Sequence, residues 1–143
     1  MHLALDQARI GESRGEVPVG AVLAGRDGTI LAGAHNACRA LNDPTAHAEI
    51  LVLRRAGERV GNYRLTGTVL IVSLEPCLMC AGALVHARVD GVVYGAADPL
   101  AGAVASCLEA FALPCHSHTI WHMGGVANEE CAAILRNFFM KRR

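Results

Sequence analysis

The sequence predicts an α/β fold of three layers, α-β-α, built on a five-stranded mixed sheet that opens with an antiparallel hairpin. Three observations lead there. Val17-Pro18-Val19-Gly20-Ala21-Val22-Leu23 and Thr29-Ile30-Leu31-Ala32-Gly33-Ala34 are apolar runs separated by the turn residues Gly25-Arg26-Asp27-Gly28, the pattern of a hairpin. Two later apolar runs, Thr68–Ser73 and Gly91–Gly95, flank helix-forming residues over 78–87. Such alternation implies right-handed crossovers, with helices on both faces of the sheet. Finally, 143 residues with 52% hydrophobic content suffice for one domain, residues 1–143, with a sizeable core.

The elements follow in order. His2–Arg14 reads as an opening helix, ahead of the hairpin. Asp43-Pro44-Thr45-Ala46 supplies capping and first-turn residues to a helix over 46–60, which puts His47 in its first turn. Strand Thr68–Ser73 comes next. Pro76 precedes a stretch rich in Ala, Leu and Met that is free of further proline, so a helix over 78–87 begins beside Cys77. After strand Gly91–Gly95, residues 96–117 carry few regular signals and read as a loop with a short helix beside the pocket. His118–His122 reads as a final strand and Asn128–Met140 as a closing helix. The two middle helices each follow a strand, so reactive side chains are expected where loops leave the sheet.

Those junctions carry His47-Ala48-Glu49 and Pro76-Cys77-Leu78-Met79-Cys80. Zinc takes imidazole nitrogen and thiolate sulfur in a tetrahedron, and a catalytic site supplies three protein ligands so that water can hold the fourth position. His47, Cys77 and Cys80 make three, and Glu49 is left over as a carboxylate able to move protons. Cys77 and Cys80 lie three apart and share a helical face. His47 and Glu49 are harder to reconcile, because two residues on a regular helix differ by about 200° in direction. They converge only if the first turn is irregular or if water lies between their tips.

Other readings of these residues stay open at this stage. Cys77 and Cys80 suit a redox Cys-x-x-Cys or two buried small residues, and a fourth ligand from His35, His86, His116, His118 or His122 would close a structural zinc site. Cys115-His116-Ser117-His118 superficially resembles a second metal cluster. Cys38, Cys107, Cys115 and Cys131 read as small buried thiols kept reduced, since a chain of this size needs no disulfide framework.

The His-x-Glu and Pro-Cys-x-x-Cys pair resembles the zinc-dependent cytidine and nucleobase deaminases. The likeness extends to Glu16-Val17-Pro18-Val19-Gly20-Ala21-Val22, Asp43-Pro44-Thr45-Ala46-His47-Ala48-Glu49-Ile50, Asn62-Tyr63-Arg64-Leu65 and Leu74-Glu75-Pro76-Cys77-Leu78-Met79-Cys80-Ala81-Gly82-Ala83. It also takes in Gly95-Ala96-Ala97-Asp98 and Glu130-Cys131-Ala132-Ala133. Within that superfamily these stretches are similar to the bacterial tRNA adenosine deaminases, over nearly the whole chain.

The resemblance implies a cytidine-deaminase-like fold and one Zn²⁺ per subunit on His47, Cys77 and Cys80. It further implies that Glu49 is the proton shuttle and that Asn36 contacts a flipped base. Backbone N–H groups near Ala48 and Cys77 would orient base and water, and Asp98 would lie on the substrate side. The implied reaction is hydrolysis of adenosine to inosine at the wobble position of a tRNA anticodon, by attack at C6. The partners would be a tRNA anticodon stem-loop and a second copy of the chain in a homodimer. His35 stands where an aromatic residue is common, and Pro99-Leu100 where a basic residue is common. Both departures touch the nucleic-acid side and leave a free-base or nucleoside deaminase, acting on guanine or cytosine, as the alternative. A non-enzymatic zinc-stabilised binding module is the second.

Charge bears on that choice through its distribution. Thirteen basic and 13 acidic residues cancel, whereas nucleic-acid binders are usually basic. Twelve of the 13 basic residues are Arg, concentrated at Arg54, Arg55, Arg59 and Arg64 and at the end, Lys141-Arg142-Arg143. Each cluster reads equally as a solvated face. Only six aromatic residues are available, too few for an extensive base-stacking platform, so RNA contact is expected through one buried base and through phosphates. Phe138-Phe139-Met140 reads as a terminal apolar anchor or as core. No run approaches the length of a membrane span and no cleavable signal pattern opens the chain, so a cytoplasmic location without membrane contact is expected.

Overall fold

A computed structural model describes residues 1–114, 116 and 118–142. Helix α1 spans His2–Ser13, strand β1 Gly20–Gly25, strand β2 Ile30–His35 and the short helix α2 Cys38–Leu41. Helix α3 (Ala48–Val60), strand β3 (Thr68–Leu74), helix α4 (Leu78–Ala87) and strand β4 (Gly91–Ala96) follow. A single 3-10 turn at Ala110–Ala112, strand β5 (Trp121–Met123) and helix α5 (Asn128–Met140) complete the order.

The sheet runs β2-β1-β3-β4-β5. β1 is antiparallel to β2, with Gly20 opposite His35, and antiparallel to β3, with Ala21 opposite Val72. β4 and β5 then add in parallel. α1 packs on β1 and β2 and α5 on β4, while α3 covers β2 and β1 and contacts α4, which gives the three layers expected. Among the described residues no helix is long and apolar enough to cross a membrane.

Alternation along the strands explains the core. Leu23, Leu70, Val72 and Val92 are buried from the sheet against Val52 and Ala56 of α3 and Leu84 of α4. On the other side Leu5 of α1 meets Ala96 and Cys131. Each fully buried Leu or Val contributes roughly 1.5–3 kcal/mol over leaving it exposed, so both strand-to-helix junctions rest on a rigid floor.

Several boundaries differ from the expectation, with identifiable causes. β1 begins at Gly20 instead of Val17: Pro18 has no N–H, and the Val19 N–H turns back to the Val17 carbonyl at 2.8 Å. Gly20 allows close packing of α1, because a Cβ there would strike the Ala4 carbonyl. Helix α2 carries no periodic pattern of its own. It forms where the buried Glu16 carboxylate accepts the N–H groups of Arg39 (3.2 Å) and Ala40 (2.8 Å). The last strand starts at Trp121 instead of His118, whose Nε2 lies 2.7 Å from the Val89 carbonyl.

Candidate metal and catalytic centre

Two turns deliver the reactive residues. Asp43 accepts from the Thr45 N–H at 2.8 Å and from its hydroxyl at 2.7 Å, a local turn that hands the chain to His47. His47 is the N-cap of α3 with φ −71° and ψ 154°, so it is extended and stands just before the first helical turn. Cys77 likewise is the N-cap of α4, with φ −75° and ψ 173°, after Pro76. The 200° difficulty disappears: His47 is not helical, and it swings over the helix end to share a space with Glu49 of the first turn. Placement of His47 in the first turn is thereby corrected.

His47 Nδ1 lies 3.7 Å from Cys77 Sγ and 3.6 Å from Cys80 Sγ. Zinc bonds of about 2.0–2.3 Å in a tetrahedron require ligand separations of roughly 3.5–3.8 Å, so the spacing fits the ion. The three ligand atoms form the one such group of His, Cys, Asp or Glu among the described residues. His35 and His118 point their ring nitrogens at the carbonyls of Asn36 and Val89 instead. Cys38, Cys77, Cys80, Cys107 and Cys131 are free thiols. The supposed second cluster at 115–118 includes Cys115 and Ser117, which lie outside the described residues.

Electrostatics match a cation. By themselves the two thiols share a single charge. The Cys80 thiol and His47 hold Cys77 down at about 4, while the Cys77 thiolate and burial push Cys80 up. A divalent ion would take both as thiolates. Contact with Cys77 raises His47, and burial raises Glu49 above the ordinary carboxyl range.

Glu49 is 4% exposed, and its Oε2 is the one buried side-chain oxygen or nitrogen without a hydrogen-bond partner among the described residues. Buried polar atoms are rarely left unpaired, so an orphaned oxygen beside three ligand-type atoms marks where a missing polar group sits.

The other expected site residues behave differently. Asn36 follows β2, is 9% exposed, and accepts the Ala48 N–H on Oδ1 at 2.9 Å. That N–H, expected to orient base and water, is thus used within the protein, and Ala48 becomes part of the support of Asn36. Asp98 also binds within its own loop. Its Oδ1 accepts from Leu100 N (3.0 Å) and Ala101 N (3.2 Å), which forms the turn leaving β4. Beside it lies a cleft of about 710 Å³ whose walls include Leu74, Leu100, Leu135 and Phe139. Of the Phe138-Phe139-Met140 trio only Phe138 is core, 3% exposed, while Met140 is 72% exposed.

Glu75 is the residue that motif reasoning passed over. It is 2% exposed and accepts from the N–H groups of Asp98 (3.0 Å), Val104 (3.1 Å), Ala105 (2.8 Å) and Ser106 (2.9 Å), and from the Ser106 hydroxyl. Burial pushes its carboxyl up, yet these donors outweigh it and hold the group at about 2. The loop it gathers also donates Ala103 N to the Pro76 carbonyl at 2.8 Å, so Glu75 fixes one wall beside Cys77. A carboxylate directly before Pro-Cys was the available signal.

The basic clusters are partly spent on structure. Arg55 donates to the Gly33 carbonyl at 2.6 Å and Arg59 to the Leu31 carbonyl at 2.8 Å, along the edge strand β2. Arg54 faces Asp43, and Arg64 lies over the Tyr63 ring.

Comparison with known proteins agrees with this geometry. A family model of the cytidine and deoxycytidylate deaminase zinc-binding region matches residues 1–96. The tRNA-specific adenosine deaminase of Agrobacterium fabrum is 49% identical over 143 residues, spanning all of this chain and 93% of that protein. A solved structure from work on A-to-I editing by tRNA:A34 deaminases at the wobble position superposes with TM-score 0.91 at 49% identity, covering 94% of this chain and 97% of the other. The guanine deaminase of Bacillus subtilis superposes with TM-score 0.64 at 35% identity, covering 97% and 88%.

Proposed function

The chain belongs to the cytidine and deoxycytidylate deaminase family, and from that premise we propose that it hydrolyses adenosine to inosine at the wobble position of a tRNA anticodon. The observation that carries the reading is the unpartnered Glu49 Oε2 beside His47, Cys77 and Cys80. It is joined by close similarity to tRNA-specific adenosine deaminases over the full chain.

His47, Cys77 and Cys80 would hold one zinc ion. When bound there, the ion would supply the positive charge that lowers the pKa of water from about 15.7 to about 7 and makes a nucleophile available at neutral pH. Glu49 takes the proton of the attacking water and delivers it to the adenine ring nitrogen as C6 gains its oxygen. The regenerated carboxylate then takes the proton of the new C6 hydroxyl and passes it to the departing amine, so that ammonia leaves as C6 becomes a carbonyl. Burial raises the Glu49 carboxyl, which makes it a better proton acceptor than an ordinary carboxylate, as this double role needs. Asn36 offers its side-chain amide to the flipped base, with its oxygen anchored on Ala48.

The substrate is an anticodon stem-loop in the cytoplasm, and the active form is a homodimer of single-domain protomers covering residues 1–143. An apolar groove of about 860 Å³ between α3 and α4, with Leu53, Leu65, Tyr63 and Ala83 among its walls, offers a surface for the second copy. A guanine-deaminating reading draws on the 35% identity to the Bacillus subtilis guanine deaminase.

Ammonia release from an anticodon stem-loop, free guanine, free adenine and free cytosine, assayed side by side, separates the readings. Release from the stem-loop supports the proposal. Release from a free base alone overturns it in favour of the alternative, and no release from any substrate leaves the binding module.

A further inference from the structure

Several cations of this neutral chain are paired with carboxylates. Arg9 pairs with Asp6 and Glu130, Arg26 with Asp90, Arg136 with Glu129 and Lys141 with Glu12. Arg14, Arg39 and Arg142 are exposed and form no ion pair among the described residues, as is also true of Arg55, Arg59 and Arg64, but Arg39 and Arg142 converge on a single point. They gather at the turn after α1. Arg39 Nη1 and Arg142 Nη2 donate to one and the same carbonyl, Gly15 O, at 2.9 and 3.0 Å.

We infer that Arg14, Arg39 and Arg142 form a docking corner for the phosphodiester backbone of an RNA substrate. The inference rests on the RNA-directed reading above and names the surface through which that substrate is held. Each guanidinium carries five N–H donors, and a single carbonyl contact leaves most of them free for phosphate oxygens. The groups are also held in place beforehand. Arg142 lies 4.0 Å over the Phe138 ring, Arg39 is fixed by Gly15, and Arg14 Nη1 is 3.4 Å from His35 Nε2. Preorganised side chains lose less entropy on binding.

Among the described residues three guanidinium groups face one buried carboxylate, Glu16. It is spent on the Arg39 and Ala40 N–H groups, and Glu12 faces Lys141. His35 links the corner to the site: with Nε2 accepting from Arg14, Nδ1–H donates to the Asn36 carbonyl at 2.7 Å. A phosphate at the corner therefore sits at the outer end of the segment that presents Asn36 to the base.

The test is a binding titration of a labelled anticodon stem-loop over a salt series, with wild type, Arg39→Gln/Arg142→Gln and Arg39→Lys/Arg142→Lys. Zinc content and thermal melting are read in parallel. The Gln pair is expected to bind on the order of tenfold more weakly and to lower the salt slope by about 2, while the Lys pair keeps the slope. If the Gln pair does not fold, Arg142→Gln alone is read for a slope lower by about 1. A folded Gln variant with wild-type affinity and slope overturns the corner alone, provided wild type binds and deaminates the stem-loop. Wild type that neither binds nor deaminates it overturns both readings together.

Discussion

The side-chain oxygen of Asn36 accepts the N–H of Ala48 at 2.9 Å, so the residue between His47 and Glu49 is tied directly to the exit of strand β2. Ala48 is fully buried, so removal of Asn36 takes away the acceptor of a buried N–H. Asn36→Ala is therefore expected to cost about 1–3 kcal/mol of stability through an unsatisfied buried donor, and to raise KM through the lost amide. Asn36→Asp keeps the acceptor, so it is expected to recover most of the melting temperature without recovering KM. Thermal melts and steady-state kinetics of the pair check this.

Glu49→Gln preserves the size of the side chain and removes its ability to carry a proton. The variant is expected to retain stoichiometric zinc by metal analysis and to lose at least 100-fold in kcat, in the range of a removed general acid-base. Near-normal turnover by the purified variant would contradict the shuttle role.

Chelation addresses the ligand set. Dialysis against a strong chelator should abolish deamination and lower the melting temperature, because the binding energy of a metal held by folded residues is also folding energy. Zinc should restore both. Cys77→Ala and Cys80→Ala should not be restored, since two protein ligands remain.

Glu75 gives a prediction that motif reasoning alone would not. Glu75→Ala leaves five donors of the 98–106 segment without their acceptor and is expected to destabilise by roughly 3 kcal/mol or more. Gly102→Ala should act in the same direction, because the added Cβ would come within 2.5 Å of the Glu75 carboxylate and of the Asp98 carbonyl. Denaturant titration measures both, and a change below about 0.5 kcal/mol, the range of an ordinary surface substitution, would contradict the anchoring role.

These particulars show where the sequence speaks and where it is silent. Strands β3 and β4 and helices α3 and α4 announced themselves through apolar runs, proline and glycine, and their ends carried the three ligands and Glu49. What escaped was set by contacts distant in sequence. Helix α2 forms where Glu16 reaches it from before β1, and Asp98 Oδ1 is taken up by two amides of its own loop. Arg55 and Arg59 look like an RNA patch in sequence, and in the fold they reach carbonyls of the edge strand β2. His47 was misplaced by a single position, since only the backbone angles distinguish an N-cap from a first helical turn.

The most direct test is mass analysis of an anticodon stem-loop with adenosine at the wobble position, after incubation with zinc-loaded protein. The account predicts exchange of the adenine amino group for oxygen at that nucleotide, with ammonia released and with none of it from the Glu49→Gln variant. An unchanged stem-loop in the presence of folded, zinc-loaded protein would contradict it.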